Sequence, residues 1–401
     1  MTADTPTLNS APGAVRVKIG FFGRRNAGKS RLVNAVTGQD LSVVSDVAGT
    51  TTDPVRKSME LLPLGPVLII DTPGIDDEGE LGDLRVRKTR QILRQTDFAV
   101  LVIDAVRGET PADSELARIL EESRVPYIIA YNKSDLLYEI PKPGPNEIYI
   151  SAVTGLGIAE LKERAAAMGA SAESEGRLVG DLLKPADVVL LVTPIDSAAP
   201  KGRLILPQQQ VVRDILEAGA VSVVIREFEL KETLHKLREV DLRMVITDSQ
   251  AFKLVAEGTP ENVPLTSFSI LFARYKGLLE ASIAGVRALD SVQDSDTILI
   301  CEGCTHHRQC DDIGTVKLPR LLREFTGKSP RFEFTSGGEF PEKPDCKLVI
   351  HCGGCMQGDR EMRFRHNAAS AAGVPFTNYG VALAYTNGIL ARAVAPFGYT
   401  L

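Results

Sequence analysis

The chain has 401 residues, 44% hydrophobic and 24% charged, with no tryptophan and a formal net charge of -6. That length fits two or three domains at roughly 100–200 residues each, and the acidic balance disfavours a broad basic footprint for nucleic acid. No apolar run approaches the roughly 20 residues that cross a bilayer, so neither a membrane nor a nucleic-acid partner is expected.

Met1 to Ala14 is rich in Thr, Pro, Ser and Ala. It lacks the basic start and apolar stretch of an export signal, so residues 1–15 read as a loose leader on a cytoplasmic protein. From 16 to 169 strand-like and helix-like segments alternate. Val17–Phe22, Val67–Asp71, Phe98–Asp104, Tyr127–Asn132 and Ile148–Ser151 are predicted strands, mostly apolar throughout, as in a parallel sheet covered on both faces. Lys29–Thr37, Ser114–Ser123 and Ile158–Met168 are predicted helices. The small, polar stretch Gly169–Gly176 places a linker at 170–179. A second α/β unit follows at 180–263, with strands at Val188–Thr193, Val221–Ile225 and Arg243–Thr247 and helices at Gln208–Glu217 and Lys231–Val240. A third unit, 264–401, begins near Pro264–Leu271. Its predicted strands are Thr297–Cys301, Arg331–Thr335 and Lys347–His351, and its helices Leu318–Phe325 and Ala368–Gly373. The turn-rich segment Gly373–Gly380 reads as a core strand and turn. The expected class is α/β in three consecutive units, and no internal repeat is evident in the motifs.

The first unit carries Gly23-x-x-x-x-Gly28-Lys29-Ser30 between a strand and a helix, the context in which this motif binds phosphate. Glycines let backbone N–H groups curl around the anion, and the helix N-terminus adds its dipole. Lys29 would reach the β- and γ-phosphates and Ser30 would bind Mg²⁺. Asp71-Thr-Pro-Gly74 ends a strand, placing Asp71 near Mg²⁺ and the Gly74 N–H near the γ-phosphate. Asn132-Lys133-Ser-Asp135 ends another. The Asp135 carboxylate can accept from guanine N1–H and the 2-amino group, a donor pair that adenine lacks, so GTP and GDP are the expected ligands. Ser151-Ala152 is expected to contact the base. A P-loop GTPase fold is therefore predicted.

With Gly49-Thr50-Thr51-Thr52-Asp53 at the first switch, this unit resembles the translation-factor-related GTPases of the Era and tRNA-modification kind. The resemblance implies that Thr51 binds Mg²⁺ in the GTP state; Thr52 stands where those proteins usually carry arginine. It also matches Asn26 to an asparagine that helps hold K⁺ beside the phosphates in potassium-activated members, where the ion supplies the charge of an arginine finger. Ile75 follows Gly74 where a catalytic glutamine stands in Ras-like proteins, so slow intrinsic hydrolysis is expected. Lys29, Thr51, Asp71 and Gly74 are the candidate catalytic residues.

All six cysteines fall between Cys301 and Cys355. Thiolates and imidazoles gathered in this way suit zinc or an iron–sulfur cluster, and without an export signal they are better metal ligands than disulfides. Cys304-Thr-His306 and His351-Cys352-Gly-Gly-Cys355 each follow a predicted strand, with 44 residues between the two histidines. Two sulfurs separated by two glycines can face one centre while backbone N–H groups bond to sulfur. A zinc site of Cys301, Cys304, Cys352 and Cys355 is the competing arrangement. Cys301, Cys310 and Cys346 otherwise read as packing or incidental thiols.

The spacing Cys-x-His, then His-Cys-x-x-Cys after a gap of this length, resembles the signature of the HydF family of [FeFe]-hydrogenase maturation GTPases. With the nucleotide motifs and the middle α/β unit, the resemblance spans essentially the whole chain. It implies Cys304, Cys352 and Cys355 as ligands of a [4Fe–4S] cluster in the last unit, with His306 and His351 as candidates for an exchangeable fourth position. It implies a homodimer formed by the middle unit. It also implies a transient diiron precursor built by radical-SAM maturases and delivered to apo-[FeFe]-hydrogenase. The competing expectations are an RNA-binding assembly GTPase with a C-terminal zinc module and, less favoured, a redox enzyme using the cluster for electron transfer.

Overall fold

The structure, a computed structural model, describes residues 16–38, 55–61, 65–72, 86, 89–172, 177–194, 204–303 and 313–401. The chain divides into two compact units, 1–174 and 175–401.

The first unit is built from β1 (Val17–Gly23), α1 (Lys29–Thr37), β2 (Val55–Leu61), β3 (Gly65–Asp71), β4 (Phe98–Asp104), α2 (Pro111–Glu122), β5 (Tyr127–Asn132), β6 (Glu147–Tyr149) and α3 (Ile158–Ala172). Its six strands run in the order β2-β3-β1-β4-β5-β6. All are parallel except β2, which pairs antiparallel with β3. Both faces are covered, which explains the continuous apolar runs. Ile19, Phe21, Val100 and Val102 pack with Leu32 and Val33 of α1 and Leu161 of α3. The alternate residues Phe22, Ala99, Leu101 and Ile103 pack with Leu116, Ile119 and Leu120 of α2. Because β1 lies between β3 and β4, the winding reverses there, and the crevice outside the strands' carboxyl ends is where such sheets bind ligands.

The second unit holds two four-stranded parallel sheets. In the first are β7 (Val188–Val192), α4 (Leu206–Glu217), β8 (Val221–Ile225), α5 (Leu230–Lys236), β9 (Leu242–Thr247), α6 (Phe252–Gly258) and β10 (Leu265–Ser267), followed by α7 (Phe268–Tyr275) and α8 (Leu279–Val286). In the second are β11 (Thr297–Glu302), α9 (Leu318–Thr326), β12 (Arg331–Ser336), β13 (Leu348–His351), α10 (Asp359–Ala371) and β14 (Phe376–Asn378), followed by α11 (Tyr379–Thr386) and α12 (Leu390–Val394). One core serves both sheets: Leu190 and Val245 of the first share a cluster with Ile298, Ile300 and Ile350 of the second.

One expectation is corrected here, and one feature that the motifs do not show appears. A third unit does not begin near Pro264: Leu265–Ser267 pairs in parallel with β9 and completes the first of these sheets. An internal repeat is also present. Counted in chain order, both sheets read second-first-third-fourth across the sheet, as β8-β7-β9-β10 and β12-β11-β13-β14. Each fourth strand then runs into a capped helix. The Ser267 hydroxyl accepts from the Ile270 N–H, and the Asn378 side chain accepts from the Val381 N–H. The two copies meet where Asn378 Nδ2 donates to the Ser269 carbonyl at 2.8 Å and where a Cβ on Gly380 would lie 2.6 Å from the Ser269 Cβ. The Gly373–Gly380 segment supplies the core strand β14, as expected. Among the described residues no helix is long and apolar enough to cross a membrane.

Candidate functional site

The phosphate loop leaves β1 and returns through Gly28, the N-cap of α1. Asn26 (φ 64°) and Gly28 (φ 90°) both stand in the left-handed region, which curls the loop. Lys29 is buried, and its Nζ donates to the carbonyls of Gly23 (2.8 Å) and Arg24 (2.6 Å), so the ammonium is held across the loop. Ser30 Oγ donates to Asp71 Oδ2 at 2.8 Å. This joins two hard oxygen ligands from α1 and β3, a donor pair that fits Mg²⁺.

On the base side, Asn132 is 2% exposed and ties two loops together. Its Nδ2 donates to the Ala27 carbonyl at 3.0 Å, and its Oδ1 accepts from the Ala152 N–H at 3.1 Å. Lys133 Nζ donates to the Asn26 carbonyl (2.8 Å) and to Asp104 Oδ2 (2.6 Å). Asp135 is exposed on the short turn Ser134–Leu136, clear of β5 and able to meet a base. Ser151 is buried, and its Oγ accepts from the N–H groups of Val153 (3.2 Å) and Thr154 (3.0 Å). Ser151 and Ala152 thus spend these groups on shaping the base loop. Asp104, at the end of β4, is a site residue that the motifs miss; its signal is an acid at a strand's carboxyl end. Burial works to raise its carboxyl, but bonds from Lys133 and from the Val106 and Arg107 N–H groups prevail and hold it below the ordinary value. Asn26 is exposed beside this pair. Thr51 and Gly74 lie outside the described residues.

The cysteine loop leaves β13 at His351. Where β13 ends, His351 is paired with Cys301, one residue before the end of β11. Cys352 N–H donates to the Cys301 carbonyl at 2.8 Å, and Cys352 Sγ accepts from the Gly303 N–H at 3.0 Å. Burial pushes the Cys352 thiol up, opposed by N–H groups of Gly303 and Gly354. A sulfur supplied with backbone donors is the donor chemistry an iron–sulfur cluster uses. Gly354 (φ 65°) makes the turn towards Cys355, which packs partly buried against the first sheet's core. Cys301 is wholly buried among Leu299, Val349, Met362 and Phe376. Its burial pushes the thiol up to about 12. Cys346 is half-buried and its thiol is likewise raised by burial. Cys304, His306, His307 and Cys310 lie outside the described residues. Among the described residues no three His, Cys, Asp or Glu gather as a metal site.

His351 is fully buried. Burial, then the nearby Arg365 charge, pulls its pKa down to about 3, so the imidazole is neutral. Nδ1 lies 2.8 Å from the Cys352 carbonyl and Nε2 lies 3.0 Å from Arg365 Nη1. Arg365 comes from α10 and is also fully buried. Its Nε donates to Glu361 Oε1 at 2.7 Å and its Nη2 to the Gly337 carbonyl at 2.5 Å. Gln357 donates to the carbonyls of Gly303 and Gly337, and the buried Lys276 Nζ donates to the Gln357 carbonyl at 2.8 Å.

Residues 178–277 match the family described as "Hydrogen maturase F dimerization domain", and residues 280–396 match "Hydrogen maturase F tetramerization domain". The chain belongs to the hydrogen maturase F family. In this hydrogen maturase F chain, residues 18–133 match "50S ribosome-binding GTPase", and the first unit is a GTPase domain. The boundary between the two maturase matches falls at Gly277, the left-handed turn between α7 and α8. The chain is 29% identical over 228 residues to tRNA modification GTPase MnmE of Endomicrobium trichonymphae, covering 54% of this chain and 48% of that protein. It is 37% identical over 132 residues to GTPase Der of Wolinella succinogenes, covering 32% of this chain and 27% of that protein. It thus spans less than half the length of these curated relatives. Among solved structures, a variant of Aquifex aeolicus Era bound to GDP.AlF4- is similar at 20% identity and a TM-score of 0.34, covering 55% of this chain and 97% of that one.

Proposed function

We propose that this hydrogen maturase F chain is a GTP-hydrolysing scaffold that carries a [4Fe–4S] cluster. It accepts a diiron precursor from radical-SAM maturases as cargo and delivers it to apo-[FeFe]-hydrogenase. The observation that carries this reading is the pairing, in one chain of this family, of an assembled guanine-nucleotide site with a half-buried Cys352 thiol supplied with backbone N–H groups. Cys304, Cys352 and Cys355 would hold the cluster, and a cluster with three firm thiolates presents an open iron to cargo.

In the nucleotide site Lys29 neutralises phosphate charge, Ser30 and Asp71 hold Mg²⁺, and Asp135 selects guanine. K⁺ beside Asn26 would supply the charge of an arginine finger, and Ile75 in place of a glutamine keeps hydrolysis slow. Thr51 and Gly74 contacts to the γ-phosphate would order the switches, and hydrolysis would release them to change contacts with partner proteins. A homodimer is supported by β8, an edge strand of its sheet that exposes Val221 and Val224, with Phe228 exposed just beyond it. Such an unpaired apolar edge is normally covered.

The test is anaerobic purification and reconstitution with counts of iron, sulfide and zinc. Iron with sulfide, lost in Cys304→Ser, Cys352→Ser and Cys355→Ser, is the expected result. Cluster absorption that survives all three substitutions refutes the site, and one zinc with no iron replaces it with a zinc module.

A further inference from the structure

The sequence marks His351 as a candidate for the open iron position, yet the structure engages both of its ring nitrogens. A guanidinium has only N–H donors, so at the 3.0 Å contact with Arg365 Nη1 the His351 Nε2 must be the acceptor. A carbonyl only accepts, so at the 2.8 Å contact with Cys352 the His351 Nδ1 must be the donor. The two contacts require the same tautomer. A neutral imidazole has one lone pair to give a metal, and here that pair points at Arg365.

Arg365 is not free to swing away. Its Nε is held by Glu361 one helical turn earlier on α10, and both side chains are essentially unexposed. Its Nη2 reaches the Gly337 carbonyl just beyond β12, and its guanidinium lies 5.5 Å from the Phe340 ring centroid. Gln357 bonds the same Gly337 carbonyl at 3.1 Å and also the Gly303 carbonyl, and Gly303 supplies the N–H that meets Cys352 Sγ. One buried side chain therefore ties β12, β13 and α10 around the cysteine loop.

We propose that Arg365 is a positioning residue of the cluster site. By donating to Nε2 it withdraws His351 from iron coordination, and through the Nδ1–H bond to the Cys352 carbonyl it fixes the direction of the Cys352 thiol. This rests on the reading that Cys352 and Cys355 hold the cluster. His351 then serves as a rigid strut between Arg365 and the loop, and the open iron is left to solvent or cargo.

The experiment uses the full chain, labelled with ¹⁵N-histidine, reconstituted anaerobically with iron and sulfide, reduced by one electron and examined by pulsed EPR. His351→Ala is expected to leave the histidine-nitrogen couplings unchanged. Because Arg365→Met alone strands Glu361, the pair is replaced together as Arg365→Met/Glu361→Met, which trades two buried charges for apolar side chains of similar length. That variant is expected to gain a strong ¹⁵N coupling that disappears when His351→Ala is added. A native coupling abolished by His351→Ala overturns the proposal. So does a cluster-loaded paired variant with no new coupling. If the paired variant does not fold, His351→Ala decides alone. Full cluster absorption in Cys352→Ser would instead refute the underlying cluster reading, and the proposal with it.

Discussion

Replacing Gly28 with alanine tests whether the phosphate loop and the base loop are one mechanical object. Gly28 sits at φ 90°, ψ 21°, a left-handed conformation that costs an L-residue about 1–2 kcal/mol. A Cβ there would lie 2.3 Å from Asn132 Nδ2, so Asn132 must move. Asn132 is buried and holds Ala27 on one loop and Ala152 on the other. Leaving these partners unpaired costs about 1–3 kcal/mol each, so the whole perturbation is about 3–8 kcal/mol with the backbone included. If about half of this cost falls on the bound state, it amounts to ~1.5–4 kcal/mol. At 1.4 kcal/mol per decade, GDP affinity is expected to fall about 10- to 700-fold. The assay is titration with a fluorescent GDP analogue, alongside thermal melting of the free protein. Gly38→Ala is the control: Gly38 has φ 67°, but nothing stands within 4 Å of its Cβ position. It carries the backbone cost without the clash and should leave affinity within about threefold. The reasoning fails if Gly28→Ala also binds within about threefold of the native protein, or if both substitutions weaken binding equally.

Other outcomes follow from the same geometry. Asp104 has a folded carboxyl held below its ordinary value of 3.8, so its bond to Lys133 stabilises the GTPase unit above that pH and is lost as pH falls through the folded value. Denaturant unfolding of native protein and Asp104→Asn should therefore differ at neutral pH and converge in acid; a constant gap would refute this. Gly354→Ala places a methyl 2.8 Å from Met362 Sδ at φ 65°, so reconstituted iron should drop by half or more, whereas Gly373→Ala, at φ 70° with open space, should load normally. Val224→Lys puts a charge on the exposed β8 edge, where Val224 is 42% exposed. Light scattering should show the assembly at half its native mass, and an unchanged mass would move the dimer contact elsewhere.

The parts of the fold legible in the sequence are those where one face-to-face rule decides the residue type. Phe98–Asp104 and Tyr127–Asn132 are covered on both sides, so their apolar runs mark the strands to the residue. Strand β2 escapes because Val55-Arg-Lys-Ser-Met-Glu-Leu61 is an antiparallel edge strand whose apolar residues are interrupted by Arg56-Lys57-Ser58 and Glu60. The nucleotide residues are legible because phosphate and guanine impose fixed donor types at strand ends. What Asn132 and Ser151 do is not: Asn132 holds loops 20 or more residues away in sequence, Ser151 folds its own loop back on itself, and no spacing of motifs encodes either bond.

The second unit shows the same limit more sharply. Its repeat is invisible in the motifs because chemistry stands in only one copy. The strand end after β13 carries His351-Cys352-Gly-Gly-Cys355, whereas its counterpart after β9 carries Asp248-Ser-Gln250, with Asp248 accepting from Gln208 at 2.7 Å. What survives in both copies is the packing signal, a strand running through a capping Ser267 or Asn378 into an apolar helix. Arg365 is hidden for a related reason. On α10 it follows Asp359, Glu361 and Arg363 in a run that reads as a solvated face, and the apolar pattern marks that helix only from Ala368. Its burial follows from Glu361 being one turn away and from β13 ending in a histidine whose free lone pair needs a donor. A polar network of this kind is specified by mutual satisfaction, since each member is tolerable in the core only when the others are present. A motif search finds the ligands of a metal loop; what holds those ligands in place becomes visible only once the strands are laid side by side.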